Sequence, residues 1–147
     1  MIQMRKQIGE RFSYDTSKAR IGGSAKVFRG VDLSRSPPRE VAVKILDASA
    51  ASEPILLTFF NREVESLLSL EHQNIVELID AGIDEEGKYF LALEWVDSDL
   101  KTWLANRKEI DWEDFMMALG MPIANALSFA HQNKIIHRDV KPGNVLI

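Results

Sequence analysis

The first third of the chain alternates short apolar runs with turn-forming residues. Apolar residues cluster at 27–28 and again over 41–46, and the stretch between them, residues 34–39, is rich in serine, proline and arginine. Two prolines would remove two backbone donors from a sheet, so this stretch is predicted to be a surface loop. The pattern over residues 11–46 therefore predicts several β-strands joined by exposed turns.

A helix is predicted over residues 53–70, because apolar side chains recur there at helical spacing. Ser52 can cap its start, and Pro54 is tolerated in the first turn. One face of this helix carries Leu56, Phe60, Glu63, Leu67 and Leu70. The glutamate is the exception on an otherwise apolar face, so it either has a cationic partner or lies at the solvated margin of that face.

Two further strands are predicted over residues 75–80 and 88–96. The turn between them is Asp84-Glu85-Glu86-Gly87, which has the acidic and glycine residues typical of a tight connection. Strands with one helix therefore come first in the chain, and helices follow. This order predicts an α+β fold with two unequal layers that meet near residues 94–98.

Helices are predicted over residues 100–106 and 112–132. Polar residues that can cap them are Asp97 or Ser98 for the first helix and Asp111 for the second. Pro122 falls inside the longer helix, where it removes one backbone hydrogen bond, so a kink is expected there.

Composition restricts the possible functions of the chain. Its 147 residues are enough for one domain, 46% are apolar and 27% are charged, and the net charge is −4. The acidic balance argues against nucleic acid as a partner. There is no cysteine, so thiolate metal sites and disulfides are excluded. No stretch approaches the ~20 apolar residues of a membrane span, and residues 1–6 lack the features of a signal peptide, so a cytoplasmic protein is expected. The alternative is a protein with a membrane anchor encoded beyond residue 147.

Lys44 is the first candidate functional residue. It lies in the apolar run Val41–Leu46, where strand alternation places Ala42 and Lys44 on the same face. An ammonium group on a buried face requires a partner, and Glu63 is the obvious candidate. The alternative is a lysine on an edge strand with its ammonium group in water.

Residues 137–144 form the most informative segment, His-Arg-Asp-Val-Lys-Pro-Gly-Asn. Its proline and glycine favour a loop. Asp139 can accept a proton, Lys141 offers a positive charge for a phosphoryl group, and Asn144 supplies an oxygen suited to Mg²⁺. These are the groups that phosphoryl transfer requires. The alternative is an ordinary polar turn after a helix.

A glycine-containing segment, Ile21-Gly22-Gly23-Ser24-Ala25-Lys26-Val27, is a weaker signal. Small residues let backbone amides approach a phosphate. A hairpin turn explains the same residues equally well.

Taken together, these motifs make the chain similar to eukaryotic-type serine/threonine protein kinases. The segment 137–144 resembles their H-R-D-L-x-x-x-N catalytic loop, and Val41-Ala42-Val43-Lys44 resembles their V-A-I-K strand. The segment Leu70–Val76 resembles their L-x-H-x-N-I-V sequence. The glycine segment is two residues shorter than G-x-G-x-x-G-x-V and has Ala25 in place of the third glycine.

The resemblance implies ATP and Mg²⁺ as cofactors and a protein with a serine or threonine hydroxyl as substrate. The residues implied to surround ATP are Ile21, Gly22, Gly23, Ser24, Ala25, Val27, Ala42, Lys44, Glu63, Glu94, Val96 and Leu146. Lys44 would hold the α- and β-phosphates and pair with Glu63. The carbonyl of Glu94 and the amide of Val96 would bind adenine, with Leu93 as gatekeeper.

The resemblance also assigns catalytic roles. Asp139 would orient or deprotonate the substrate hydroxyl, Lys141 would mark the serine/threonine type, and Asn144 would bind the metal. Lys44 would be the fourth catalytic residue. Arg138 resembles the arginine of kinases that are switched by a phosphorylated activation loop.

The implied division is an N-terminal extension at 1–11, a β-rich N-lobe with one helix at 12–94, a hinge at 95–98, and the first helices of a truncated C-lobe at 99–147. No D-F-G motif is present in these residues, so these 147 residues alone are expected to be inactive. A regulatory nucleotide-binding scaffold, or pseudokinase, is the alternative function. A small-molecule phosphotransferase is a third.

Overall fold

The structure, a computed structural model, describes residues 5–21, 25–47, 52–106 and 109–147, without the side chains of Lys18 and Ile21. The chain divides into two compact units. The first comprises Met1–Leu68 and Glu77–Trp95, and the second comprises Ser69–Val76 and Val96–Ile147.

The first unit is built on one six-stranded antiparallel sheet with the order β1-β2-β3-β4-β6-β5. Its strands are β1 Arg5–Ile8, β2 Phe12–Ile21, β3 Ala25–Asp32, β4 Arg39–Leu46, β5 Leu78–Ile83 and β6 Tyr89–Glu94. The predicted surface loop at 34–39 separates β3 from β4, and its residues 34–38 are exposed. With the helix α1, Glu53–Leu68, this sheet confirms the α+β class.

Strand β1 was not predicted from the sequence. It pairs with β2 through a tight turn in which Gly9 and Glu10 both have positive φ, 58° and 55°. A side chain at Gly9 would lie 2.7 Å from the ring of Phe90, so glycine is required by space as well as by conformation. The turn brings Ile8 into the core, where it is 2% exposed.

Each face of the sheet carries an apolar cluster. On one face Val41 and Val43 are fully buried in a cluster completed by Ile8, Phe12, Tyr14, Phe28, Phe90 and Ala92. On the other face α1 packs through Leu56 and Phe60 against Tyr89 and Leu91. Strand alternation therefore works as predicted for β4, and it directs Leu46 towards the helix.

The prediction for β5 was wrong by three residues at each end. The apolar pair Ile75 and Val76 lies outside the strand, in a turn where the amide of Ile75 donates to the carbonyl of His72 at 3.0 Å. The Asp84–Gly87 turn is present: Asp84 accepts from Gly87 at 2.9 Å and from the amides of Glu86 and Lys88.

The second unit contains helices α2 Leu100–Ala105, α3 Trp112–Phe115 and α4 Met121–Gln132. Asp99 caps α2 by accepting from the amide of Thr102 at 2.8 Å. The predicted caps Asp97 and Ser98 were therefore wrong, because neither lies directly before the first helical residue. Asp111 caps α3 as predicted.

The single helix predicted over 112–132 is interrupted. A π-helical segment, Met116–Gly120, lies between α3 and α4, and the amide of Met121 donates to the carbonyl of Met116. Pro122 then falls in the first turn of α4, where its missing donor removes no helical hydrogen bond. The extra residue in the π turn therefore accommodates the proline, and the interruption lies before it.

The end of the second unit is held against the start of α2. Leu146 forms a bridge with Asp99, and the amide of Leu100 donates to the carbonyl of Val145 at 2.7 Å.

Among the described residues, no helix combines the length and the apolar character needed to cross a bilayer.

Candidate active site

The register of the sheet places several candidate residues on one face. Val27 pairs with Lys44, and Ala42 pairs with Leu93. Directly opposed residues in antiparallel strands share a face, as do residues two apart on one strand. Val27, Ala42, Lys44 and Leu93 therefore share the face on which α1 packs, and we call them the Lys44 face.

Lys44 and Glu63 are in direct contact. The ammonium Nζ lies 2.5 Å from Oε1 of Glu63, and the two side chains are 25% and 33% exposed. Glu65, two residues along α1, is exposed. The packing of α1 through Phe60 and Val64 directs Glu63 towards the sheet. The structure therefore brings together a cation and a carboxylate that are 19 residues apart.

The glycine segment is only partly described. Gly22, Gly23 and Ser24, and the side chain of Ile21, lie outside the described residues. The backbone register pairs Ile21 with Lys26. Ala25 pairs with Leu46 and is 6% exposed, which places it on the Lys44 face.

Glu94 ends strand β6 and is held by two hydrogen bonds to Glu77. Its amide donates to the carbonyl of Glu77 at 3.0 Å, and its carboxylate accepts from the amide of Glu77 at 3.1 Å. Leu93 packs against the α1 cluster. Val96 is the first residue of the segment Val96–Ile147 of the second unit and is half-buried.

The loop at 137–144 is organised around Asp139. The ammonium of Lys141 donates to its Oδ2 at 2.7 Å, and the side-chain amide of Asn144 donates to Oδ2 at 3.0 Å and to the backbone carbonyl at 2.8 Å. The amide of Asp139 itself donates to Nδ1 of His137 at 3.2 Å. The residue between them, Arg138, has a positive φ of 65°.

These contacts lower the pKa of Asp139. The hydrogen bonds from Lys141 and then from Asn144 hold the pKa of the carboxyl below its ordinary value. Asp139 is therefore ionised at neutral pH. With 61% of its side chain exposed, it is also accessible to a substrate.

Asn144 is suited to a magnesium ion. Its amide nitrogen is engaged by Asp139, so its oxygen is the atom left for a metal. Within the described residues no group of three or more histidine, cysteine or acidic side chains can hold a metal. A neutral amide oxygen is a ligand type that Mg²⁺ accepts, commonly together with water and substrate phosphates.

Comparison with known proteins identifies the family of the chain. A family model described as the protein kinase domain matches residues 17–147. The chain belongs to the protein kinase family. It is 35% identical over 144 residues to the serine/threonine-protein kinase PrkC of Bacillus subtilis. The aligned region covers 95% of this chain and 22% of PrkC.

Two other relatives show a similar degree of identity. A probable serine/threonine-protein kinase, PknB of Lactococcus lactis, is 33% identical over all of this chain and 23% of its own length. The cell division control protein 2 homolog 3 of Trypanosoma brucei is 37% identical over 82% of this chain and 38% of its own. The chain thus spans about a quarter of the bacterial relatives and under half of the trypanosome one.

The kinase sheet also contains an ion-pair cluster that the sequence did not reveal. Asp32 has no exposed surface, and it accepts from Nε and Nη2 of Arg11 at 2.9 and 2.6 Å and from the hydroxyl of Ser34 at 2.6 Å. Nη1 of Arg11 reaches Asp80 at 2.9 Å. The hydrogen bonds from Arg11 hold the pKa of Asp32 far below its ordinary value, despite its burial. Only the spacing Asp32-Leu33-Ser34, typical of a side-chain turn, could have drawn attention to it.

Leu146 lies in the second unit, where it forms the bridge with Asp99, and 43% of its surface is exposed. Its assignment to the adenine stays a prediction.

Proposed function

We propose that this chain supplies the ATP-binding sheet and the catalytic loop of a protein serine/threonine kinase. In this function the γ-phosphate of ATP is transferred to the hydroxyl of a serine or threonine in a protein substrate. The arrangement around Asp139 carries the proposal, because it combines an ionised, accessible carboxylate with a cation and an amide oxygen within five residues.

The first unit would bind the nucleotide. Lys44, with its orientation fixed by Glu63 at 2.5 Å, presents a positive charge for the α- and β-phosphates. Val27 and Ala42 share its face and provide apolar surface for the adenine. The carbonyl of Glu94 and the amide of Val96 would bind the base, and Ile21 to Ala25 would cover the phosphates.

The second unit would supply the chemical groups. Asp139 is ionised and would accept a hydrogen bond from the substrate hydroxyl, orienting its oxygen towards the phosphorus and receiving its proton. The ammonium of Lys141, 2.7 Å from Asp139, lies where it can neutralise charge on the transferred phosphoryl group. Asn144 would hold Mg²⁺, which when bound neutralises phosphate oxygens.

The presence of Lys44, Glu63, Asp139 and Asn144 in these contacts favours an enzyme over a nucleotide-binding scaffold. A scaffold would have no need of an ionised carboxylate that is exposed and aligned by two donors. No described contact favours the scaffold.

Phosphate transfer by the full-length protein tests the proposal. Labelled ATP, Mg²⁺ and a general protein substrate should give labelled serine or threonine. Asp139→Asn should lower the rate by about 10²–10⁴-fold, since that is the usual contribution of a general base. Asp114→Asn, which changes an exposed aspartate on α3, is the matched control and should keep the wild-type rate. Full activity in Asp139→Asn, or no transfer by the wild type, would overturn the proposal.

A further inference from the structure

Two arginines of the first unit lie over the ring of Trp95, the residue that follows Glu94. The guanidinium carbon of Arg20 is 5.5 Å from the ring centroid, and that of Arg29 is 5.2 Å from it. Both distances are within the range of attractive cation–π contacts. The ring is half-buried, so it is held within the unit.

The sheet places both arginines on the Lys44 face. Arg20 pairs with Val27 across β2 and β3, and Arg29 pairs with Ala42 across β3 and β4. The guanidinium of Arg29 also donates two hydrogen bonds to the carboxylate of Glu40, from Nε at 3.0 Å and from Nη2 at 2.6 Å, so its orientation is fixed. Three adjacent strands therefore contribute to the position of one tryptophan ring.

We propose that Arg20 and Arg29, by holding Trp95, position the backbone at Glu94 and Trp95 for recognition of adenine. This inference rests on the proposed function, which assigns the carbonyl of Glu94 to the base. Trp95 is a positioning residue here, because it acts through its own main chain. The two hydrogen bonds between Glu94 and Glu77 also hold this segment.

The physical effect is preorganisation. A backbone carbonyl that is already fixed before the ligand arrives binds it with a smaller loss of conformational entropy. Adenine offers an amino donor at the position where guanine has an oxygen acceptor. A carbonyl in a fixed position therefore favours adenine over guanine. A carbonyl that is free to move discriminates less between the two bases.

Direct contact of the arginines with the phosphates is the competing explanation. Arg29 is already occupied by Glu40 and Trp95, which favours the positioning role. The two explanations predict different losses of binding affinity in the variants. Loss of positioning weakens the binding of both ATP and adenosine, whereas loss of phosphate contact weakens the binding of ATP and leaves that of adenosine unchanged.

Calorimetric titrations of Mg-ATP, Mg-GTP and adenosine into the 147-residue chain test the inference. Trp95→Leu and Arg29→Met should each weaken ATP and adenosine binding by about two- to fivefold, the usual size of a cation–π contact. GTP binding should change little, so the ratio of GTP to ATP affinity rises. Trp95→Phe and Arg29→Lys keep a ring and a cation and should retain most of the discrimination. Arg35→Met, in the exposed 34–38 loop, is the matched control.

An unchanged nucleotide ratio in Trp95→Leu, with ATP still bound, would overturn the inference and leave the proposed function intact. Loss of ATP binding with adenosine unaffected would also overturn it, in favour of phosphate contact. A wild-type chain that binds no ATP would overturn both.

A second measurement is independent of nucleotide. The free energies of unfolding of Arg29→Met, Trp95→Leu and the double variant give the coupling between the two side chains. A favourable coupling supports the contact, and a coupling of zero overturns the inference even if ATP binds.

Discussion

The Lys44–Glu63 pair of the first unit and the Asp139 loop of the second are held in different ways. The pair joins a strand to a helix 19 residues away, and both side chains are mostly buried. The loop contacts span two to five residues, and Asp139 and Lys141 are more than half exposed. The pair therefore depends on the packing of the whole unit, whereas the loop depends mainly on its own sequence.

This difference fits the two proposed roles. A cation that binds phosphates without moving needs a rigid support, and the sheet with α1 provides one. A carboxylate that meets a protein substrate must be accessible, so its orientation comes from neighbours in the same loop. Variants that destabilise the first unit should therefore leave the hydrogen bonds and the pKa of Asp139 largely unchanged.

The largest expected effect on stability comes from Arg11→Met. It leaves the fully buried Asp32 without its cation, which should lower the free energy of unfolding by about 3–5 kcal/mol. Chemical denaturation measures this loss. Arg35→Met is the control and should be within about 0.5 kcal/mol of wild type. The carboxyl pKa of Asp139 should not move, because its contacts are local. A small loss for Arg11→Met would contradict the importance of this cluster.

The pH dependence of the same variant gives a second comparison. The pKa of Asp32 is lowered in the folded state, so the pair stabilises the protein above the ordinary pKa of about 3.9. That contribution is lost as the pH falls through the folded pKa. Stability of the wild type should therefore decrease below about pH 4, and Arg11→Met should show less of this decrease. If the free energies of unfolding of the wild type and Arg11→Met fall in parallel as the pH is lowered, the result would contradict the role of Arg11 in lowering the pKa of Asp32.

A smaller effect is expected for the Lys44–Glu63 pair. A double-mutant cycle of Lys44→Met and Glu63→Gln should give a coupling of about 1 kcal/mol in unfolding free energy, above the range of most surface pairs because both groups are partly buried. Lys101→Met, on exposed α2, is the control and should not couple with Glu63→Gln. Zero coupling for Lys44 would mean that the contact contributes nothing to the position of the ammonium.

The smallest effect concerns the Asp139 carboxyl. Lys141→Met removes the main donor that lowers its pKa, so a carbon NMR titration should show the midpoint rise towards the ordinary value. Lys134→Met, exposed and outside the loop, should leave the midpoint unchanged. Asp139 would stay ionised at pH 7 in both variants. An unchanged midpoint in Lys141→Met would contradict the contact.

The sequence predicted the parts of the molecule that follow from local pattern. Strand alternation in Val41–Leu46 indicated a charged residue, Lys44, on a buried face. The helical spacing of residues 53–70 indicated another, Glu63, on an apolar face, and the two side chains form an ion pair. The cap at Asp111 follows from the residue directly before a helix. The loop at 137–144 was identified because all of its groups lie within eight residues.

The remaining features depend on contacts that the local pattern does not contain. Arg11 and Asp80 are 69 residues apart, so nothing near either one indicates the other. The predicted caps Asp97 and Ser98 directly precede Asp99, the observed cap, and only the position of the first helical residue distinguishes the three. The π turn before Pro122 is one of several ways to accommodate a proline, and tertiary packing selects among them.

Binding of Mg-ATP to the wild type, Lys44→Met and Asn144→Ala, measured by calorimetry, tests the central claim most directly. We predict that both variants bind more weakly than the wild type, and that Lys101→Met binds equally well. Equal affinity in all four proteins would contradict the roles of Lys44 and Asn144 in holding the nucleotide and its metal.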